Sequence, residues 1–183
     1  MSLIRGNNYR IVASNGETRY ITSNYVLYEK MMEDGLYSHG YIKIPAENNL
    51  SLEKGCYAFE INEGAVSITD TETFLTTLNQ SSIAFSAPIL ESFTEKDDGV
   101  IETTTGYDLY NVSNYFSETI VEEGSYVKHA TLDIVYQDDK PTIKIICDIY
   151  NDNTQTSNTL TLTFDSFNET SVNILDTYLE SIK

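Results

Sequence analysis

Two histidines, two cysteines and one loop crowded with Asp and Asn are the residues whose types could carry chemistry in this chain of 183 residues. His39 sits in Tyr37-Ser38-His39-Gly40, which reads as a loop, and His129 follows Lys128 in an expected strand. Neither has an HxH, HxxxH or CxxC companion, so zinc ligation lacks the spacing it needs. Cys56 and Cys147 lie far apart amid apolar, strand-like residues and read as two buried thiols, with a disulfide open to them only in an oxidising compartment. A Cys-His nucleophilic pair has no local pattern behind it. Asp148, Asn151, Asp152 and Asn153 bring oxygen ligands together, but their spacing departs from the alternate ligands, sixth-position Gly and twelfth-position Glu of a calcium loop. A solvated turn is the expectation there.

The remaining catalytic patterns are missing. No Ser lies in a Gly-x-Ser-x-Gly elbow, and the nine glycines are scattered rather than gathered into a phosphate-cradling loop. With 28 acidic residues a carboxylate pair for glycoside hydrolysis can always be drawn, yet nothing selects two of them. Asn49, Asn79, Asn111 and Asn168 begin Asn-x-Ser/Thr triplets, which matter only in a secretory eukaryotic setting. The expectation is a protein that is not an enzyme and uses no cofactor or metal.

Charge narrows the partners. Against 28 acids stand 11 bases, a net charge of −17, which repels phosphate backbones and anionic lipid. Direct nucleic-acid binding and membrane adsorption are not expected. The excess is also uneven: residues 1–54 hold six bases (Arg5, Arg10, Arg19, Lys30, Lys43, Lys54) and six acids (Glu17, Glu29, Glu33, Asp34, Glu47, Glu53), so the whole −17 lies in residues 55–183. The neutral first third is therefore the part suited to meet an acidic neighbour, another copy of the chain included. Arg5, Arg10 and Arg19 are the candidate assembly contacts.

Fourteen Tyr, seven Phe, twenty-one Thr and eighteen Ile against seven Ala favour strands over helices. The fold class expected is mainly β (α+β at most), an antiparallel β-sandwich or barrel-like sheet with one short internal helix and a C-terminal amphipathic helix. No apolar run approaches the roughly 20 residues of a membrane span. Met1 to Gly6 carries no stretch of signal-peptide length, so export by that route is not expected, although a chain with its leader removed would look alike.

Along the chain, Tyr9–Ala13 and Thr18–Thr22 flank Asn15-Gly16 as a hairpin, since Asn-Gly suits turn positions of positive φ. Ser23 to Met32 fits a capped helix or a strand equally. Tyr41–Ile44 and Cys56–Ile61 read as strands, the latter ending at the turn Asn62-Glu63-Gly64. Thr71 to Leu78 behind Asp70 reads as the short helix. Glu95–Gly99 is a polar turn. Thr131–Tyr136 and Thr142–Tyr150 flank a second hairpin turn at 137–141. Thr159–Phe164 alternates strictly and should turn Leu160, Leu162 and Phe164 inward. Val172, Leu175, Leu179 and Ile182 keep helical spacing behind a cap at Ser171.

Leu52-Glu53-Lys54-Gly55-Cys56-Tyr57 is echoed by Val121-Glu122-Glu123-Gly124-Ser125-Tyr126, each preceded by Gly-Tyr (Gly40-Tyr41, Gly106-Tyr107). The chain reads as one domain, 1–183, with two similar β halves at about 36–100 and 101–167 as a variant of that reading.

With its initial Met, no leader and a wealth of Tyr, Asn and Thr, the chain resembles in composition the small virion components of tailed bacteriophages: capsid decoration, connector and tail accessory proteins. That resemblance implies a structural assembly protein acting through its surface, in a virion or the cytoplasm, with protein partners and self-association. Two other classes stay open. One is an acidic inhibitor, an immunity protein or nucleic-acid mimic that neutralises a basic enzyme. The other is a periplasmic or surface ligand-binding β module whose leader has been trimmed.

Overall fold

The computed structural model describes residues 8–75, 93–103 and 124–183. Its strands are β1 (Tyr9–Ala13), β2 (Glu17–Ile21), β3 (Tyr25–Met32), β4 (Gly35–Ile44), β5 (Gly55–Asn62), β6 (Ala65–Leu75), β7 (Thr94–Glu95), β8 (Ile101–Glu102), β9 (Ser125–Gln137), β10 (Lys140–Asn151) and β11 (Thr156–Asp165), followed by one helix, α1 (Asn173–Ser181). The fold is mainly β and antiparallel, as the composition predicts. All eleven strands join one sheet in the order β6-β5-β4-β3-β2-β1-β11-β10-β9-β8-β7. Neighbouring strands are consecutive in the chain except at one place: β1 pairs with β11, so the sheet has two arms, β1–β6 and β7–β11, sealed where the first and last strands meet. The half boundary at residue 36 falls within the β3–β4 hairpin, which pairs from Met32↔Gly35 to Tyr25↔Ile42.

A sheet this wide and twisted curls so as to cover its apolar face. The inner face carries Tyr9, Ile11 and Ala13 of β1, and the buried cluster built on it takes in Ile21, Val26, Tyr28 and Cys56 from one arm and Val127, Leu132, Ile145, Cys147, Leu162 and Phe164 from the other. Leu160, Leu162 and Phe164 are all buried, as their alternation requires. Beneath β2–β6 the outer face has its own core, in which Tyr25, Leu27, Ile42, Ile44, Tyr57 and Phe59 pack with Leu175 and Ile182 at the C-terminal helix. Strand β3 is thus buried on both sides from Tyr25 to Tyr28. That resolves the ambiguous stretch as a strand: a double-sided strand shows no period-2 alternation to distinguish it from a helix.

Three local expectations change. The predicted helix from Thr71 is instead the end of β6, which runs to Leu75 against β5, with pairs at Ala58↔Asp70 and Cys56↔Leu75 and irregular register between them. An open ladder edge on β5, with Thr at 71 and 73, outweighs a weak helical pattern; residues 76–78 lie outside the described residues. The first hairpin closes through three residues, with Gly16 N–H donating to Ala13 O and only Gly16 left-handed (φ 88°). The two-residue left-handed geometry appears at Glu63-Gly64 and at Asp138-Asp139.

Ser171 does not cap α1. The helix starts after Val172, whose N–H donates 2.8 Å to the Tyr25 hydroxyl, while that hydroxyl donates to Asp176 Oδ1 at 3.1 Å. Burial, the main cause, pushes the Tyr25 hydroxyl pKa upward. At the other end Asn49 closes the helix, its N–H reaching Ile182 O (2.9 Å) and its side-chain amide reaching Ser181 O (2.7 Å). Tyr25→Phe leaves a helix-end N–H without its acceptor, an expected loss of about 1–2 kcal/mol. Hydrogen exchange should show the first-turn amides of α1 accelerated while those of β9–β11 are unchanged.

Candidate functional site

The β3–β4 hairpin outgrows its neighbours. β2 reaches only Lys30 of β3, at Glu17↔Lys30, and β5 reaches only His39 of β4, at His39↔Glu60. Beyond those positions, among the described residues, the ribbon pairs only with itself. Its end carries Met31 (68% exposed), Met32, Leu36 and Tyr37, all at least half or nearly half exposed, around the turn Glu33-Asp34. Strand alternation and the pairs Met31↔Leu36 and Met32↔Gly35 place Met31 and Leu36 on the outer side, and Met32 and Tyr37 on the inner side. The ribbon end is therefore apolar on both faces. Lys30, Glu33 and Asp34 form no ion pair among the described residues.

The base of the ribbon is stiff. Tyr28 and His39 stack with centroids 5.3 Å apart, Tyr37 closes on His39 at 4.7 Å, and the Arg19 guanidinium lies 5.1 Å from the Tyr28 ring centre. Arg19, 1% exposed, pairs through Nε with Glu17 Oε1 at 2.7 Å. His39 Nδ1 is buried with no hydrogen-bond partner among the described residues. Burial lowers the His39 pKa below its usual 6.5, against the opposing pull of Glu17 and Glu60. An unfolded chain therefore takes up a proton that the folded one refuses. The stability contributed by neutral His39 is complete above about pH 6.5 and is lost as the pH falls toward the lowered value. Replacing His39→Phe, which keeps the ring stack, should flatten the decline in melting temperature between about pH 7 and 5; an unchanged slope would contradict this account.

The outer face adds a polar chain across the joint between the arms. Arg10 holds Asp165 in a bidentate pair at 2.8 Å, and this hydrogen bond is the main reason its guanidinium is still harder to deprotonate than usual. Tyr20 follows, its hydroxyl pKa raised first by burial and then by Glu29. Ser38 donates to Glu29 at 3.4 Å.

The sequence-level candidates find other employment. Arg19, expected as an assembly contact, is enclosed on the inner face and cannot meet a partner. Its position opposite Ile11 and Tyr28, inside a curled sheet, is a tertiary fact that a Thr-Arg-Tyr run does not reveal. Arg10 is at the surface but engaged by Asp165, and Arg5 lies outside the described residues. His39 is in strand β4, not in a loop. His129 bridges strands, with Nε2 2.8 Å from Glu102 and Nδ1 3.6 Å from Asp148; this contact is the first cause that lowers the Glu102 pKa, with Lys96 adding to it.

Asn151 spends its Oδ1 on the N–H groups of Asn153 and Thr154 and its amide on Ser125, so the acidic loop is a self-satisfied turn. Among the described residues no group of three His, Cys, Asp or Glu could hold a metal. Cys56 and Cys147 are buried and form no disulfide. Burial pushes the Cys147 thiol up to about 12, which leaves it without thiolate at neutral pH.

The ribbon end is the feature the sequence reading missed. Its signal was Met31-Met32 directly before Glu33-Asp34-Gly35, where apolar residues occupy both strand parities at once. No family model, curated protein or solved structure matches the chain.

Proposed function

We propose that this chain is a non-enzymatic assembly protein that acts through its surface, of the kind that tailed bacteriophages use as decoration, connector or tail accessory components. The observation that supports it is the overhanging β3–β4 ribbon, where four large apolar side chains stand in water on a stiff aromatic base. A lone exposed apolar residue is ordinary, but a contiguous set on a projecting element is how contact surfaces are built. Methionine, pliable and polarisable, suits such a surface. The titratable groups brought together elsewhere serve as structural ties: Arg10 with Asp165 and His129 with Glu102 between strands, Glu17 with Arg19 within β2.

Among the described residues no helix is long and apolar enough to cross a membrane. The virion setting rests on the compositional resemblance and the assembly role on the ribbon. The test is size fractionation of the native extract, with the chain detected by mass spectrometry. It should migrate in complexes far above the 20.7 kDa of one chain. Migration solely at that mass would refute the reading, as would a Met31→Ser/Leu36→Ser variant that enters the large complexes as well as the wild type.

A further inference from the structure

We infer that the β3–β4 ribbon end is a self-complementary contact by which two copies of this chain pair about a two-fold axis. The inference rests on the assembly reading above and names its first partner.

Two chains of net charge −17 repel, so a contact between copies is least costly where the charge is balanced, and that is the first third, six bases against six acids. Within it the ribbon end reads Lys30-Met31-Met32-Glu33-Asp34: one positive residue, two apolar ones, two negative ones. Such an order is complementary to itself when two ribbons lie antiparallel. Lys30 of one copy then meets Asp34 of the other, the methionines meet at the axis, and the same contacts repeat by symmetry. Lys30 lies on β3 and Asp34 in the turn beyond Met32, so along the ribbon they are separated by about three residue rises, roughly 10 Å, with the methionines between them, and the two charge pairs flank that apolar centre.

The geometry agrees with this order. Lys30, Glu33 and Asp34 are exposed and form no ion pair among the described residues. The ribbon edges beyond Lys30 and before His39 have no neighbouring strand among the described residues. A second ribbon can therefore lie alongside without displacing anything described, and with apolar groups on both faces each copy can wrap the other's tip. Glu33 and Asp34 at the extremity count against insertion into an anionic lipid surface.

The experiment is sedimentation velocity on the full chain from about 1 to 200 μM, a range in which a modest two-fold contact shows its mass-action shift. The expected result is a reversible dimer of twice 20.7 kDa. Met31→Ser/Leu36→Ser should abolish it. Lys30→Glu should weaken it at least tenfold, and Lys30→Glu/Asp34→Lys should recover most of the affinity, because the swap restores opposite charges across the axis. All four positions are exposed, and unchanged far-ultraviolet circular dichroism checks that the variants fold. A monomer throughout the range overturns the inference. So does a dimer indifferent to the tip variants, or a charge swap that fails to recover the dimer. Flotation of the monomer with phosphatidylcholine vesicles, lost in the Met31→Ser/Leu36→Ser variant, would reassign the ribbon end to a lipid surface. If dimerisation fails while large native complexes still depend on the ribbon, only this inference falls and the assembly reading stands.

Discussion

Replacing Gly40→Ala should destabilise the protein by about 4 kcal/mol or more, the upper range for a single substitution. Gly40 lies opposite Leu27 in the β3–β4 ladder, and its φ is not in the left-handed region, so conformational freedom is not what requires glycine. Space is what requires it. A Cβ at this position would overlap the carbonyl oxygen of Val26 and stand 2.9 Å from its carbon and 3.1 Å from Leu27 Cα. All three are backbone atoms of a strand buried on both faces, with Leu27 wholly inaccessible, so neither strand can withdraw without opening a core. A cost of that size corresponds to roughly 8–16 °C in melting temperature for a chain of this length. Because the close approach holds β3 against β4 at the root of the ribbon, the tip amides should also lose protection in hydrogen exchange. A loss of under about 1 kcal/mol would mean that the two strands are not locked as described.

Arg19→Met should cost about 3–5 kcal/mol, the penalty for stranding a buried carboxylate. Arg19 and Glu17 are two residues apart on β2 and both point to the inner face, 1% and 7% exposed. Removing the guanidinium leaves Glu17 in a low-dielectric interior with its 2.7 Å partner gone, and a proton is then the cheapest substitute. The variant should therefore regain part of its stability as the pH is lowered from 7 to about 5, opposite to the wild-type trend. A second change, Glu17→Leu, removes the stranded charge and should return at least half of the loss, since an apolar pair can replace a buried ion pair at little cost. Chemical denaturation of the two single variants and the double closes the cycle. If Glu17→Leu adds its own full cost instead, the two groups are not coupled.

Most of the fold was legible because it rests on short-range rules. Strict alternation in Thr159–Phe164, turn residues at 62–64, 95–99 and 137–141, and helical spacing from Val172 to Ile182 each encode local geometry that water alone enforces. Reading failed where an element is buried on both sides or completed by a distant partner. Tyr25–Tyr28 shows no alternation because the core that includes α1 lies on one face and the core shared by the two arms on the other. Thr71–Leu75 is a strand because β5 is there to pair with it. The start of α1 is set by a hydroxyl from β3, 147 residues earlier, not by its neighbour Ser171.

The candidate contacts illustrate the same division. From the sequence alone follow the β-rich class, the surplus of acid confined to residues 55–183 and the neutrality of the first third, because composition and charge do not depend on arrangement. Which basic residue is free to act does depend on it. Arg10, Arg19 and Lys30 look alike along the chain, yet one is engaged across the joint of the two arms, one is sealed inside, and one stands on an overhang. Only the sheet order, through the lengths of β2 and β5 relative to β3 and β4, decided that the ribbon end is left uncovered. Strand overhang is a property of neighbours far away in the chain, and no local pattern records it.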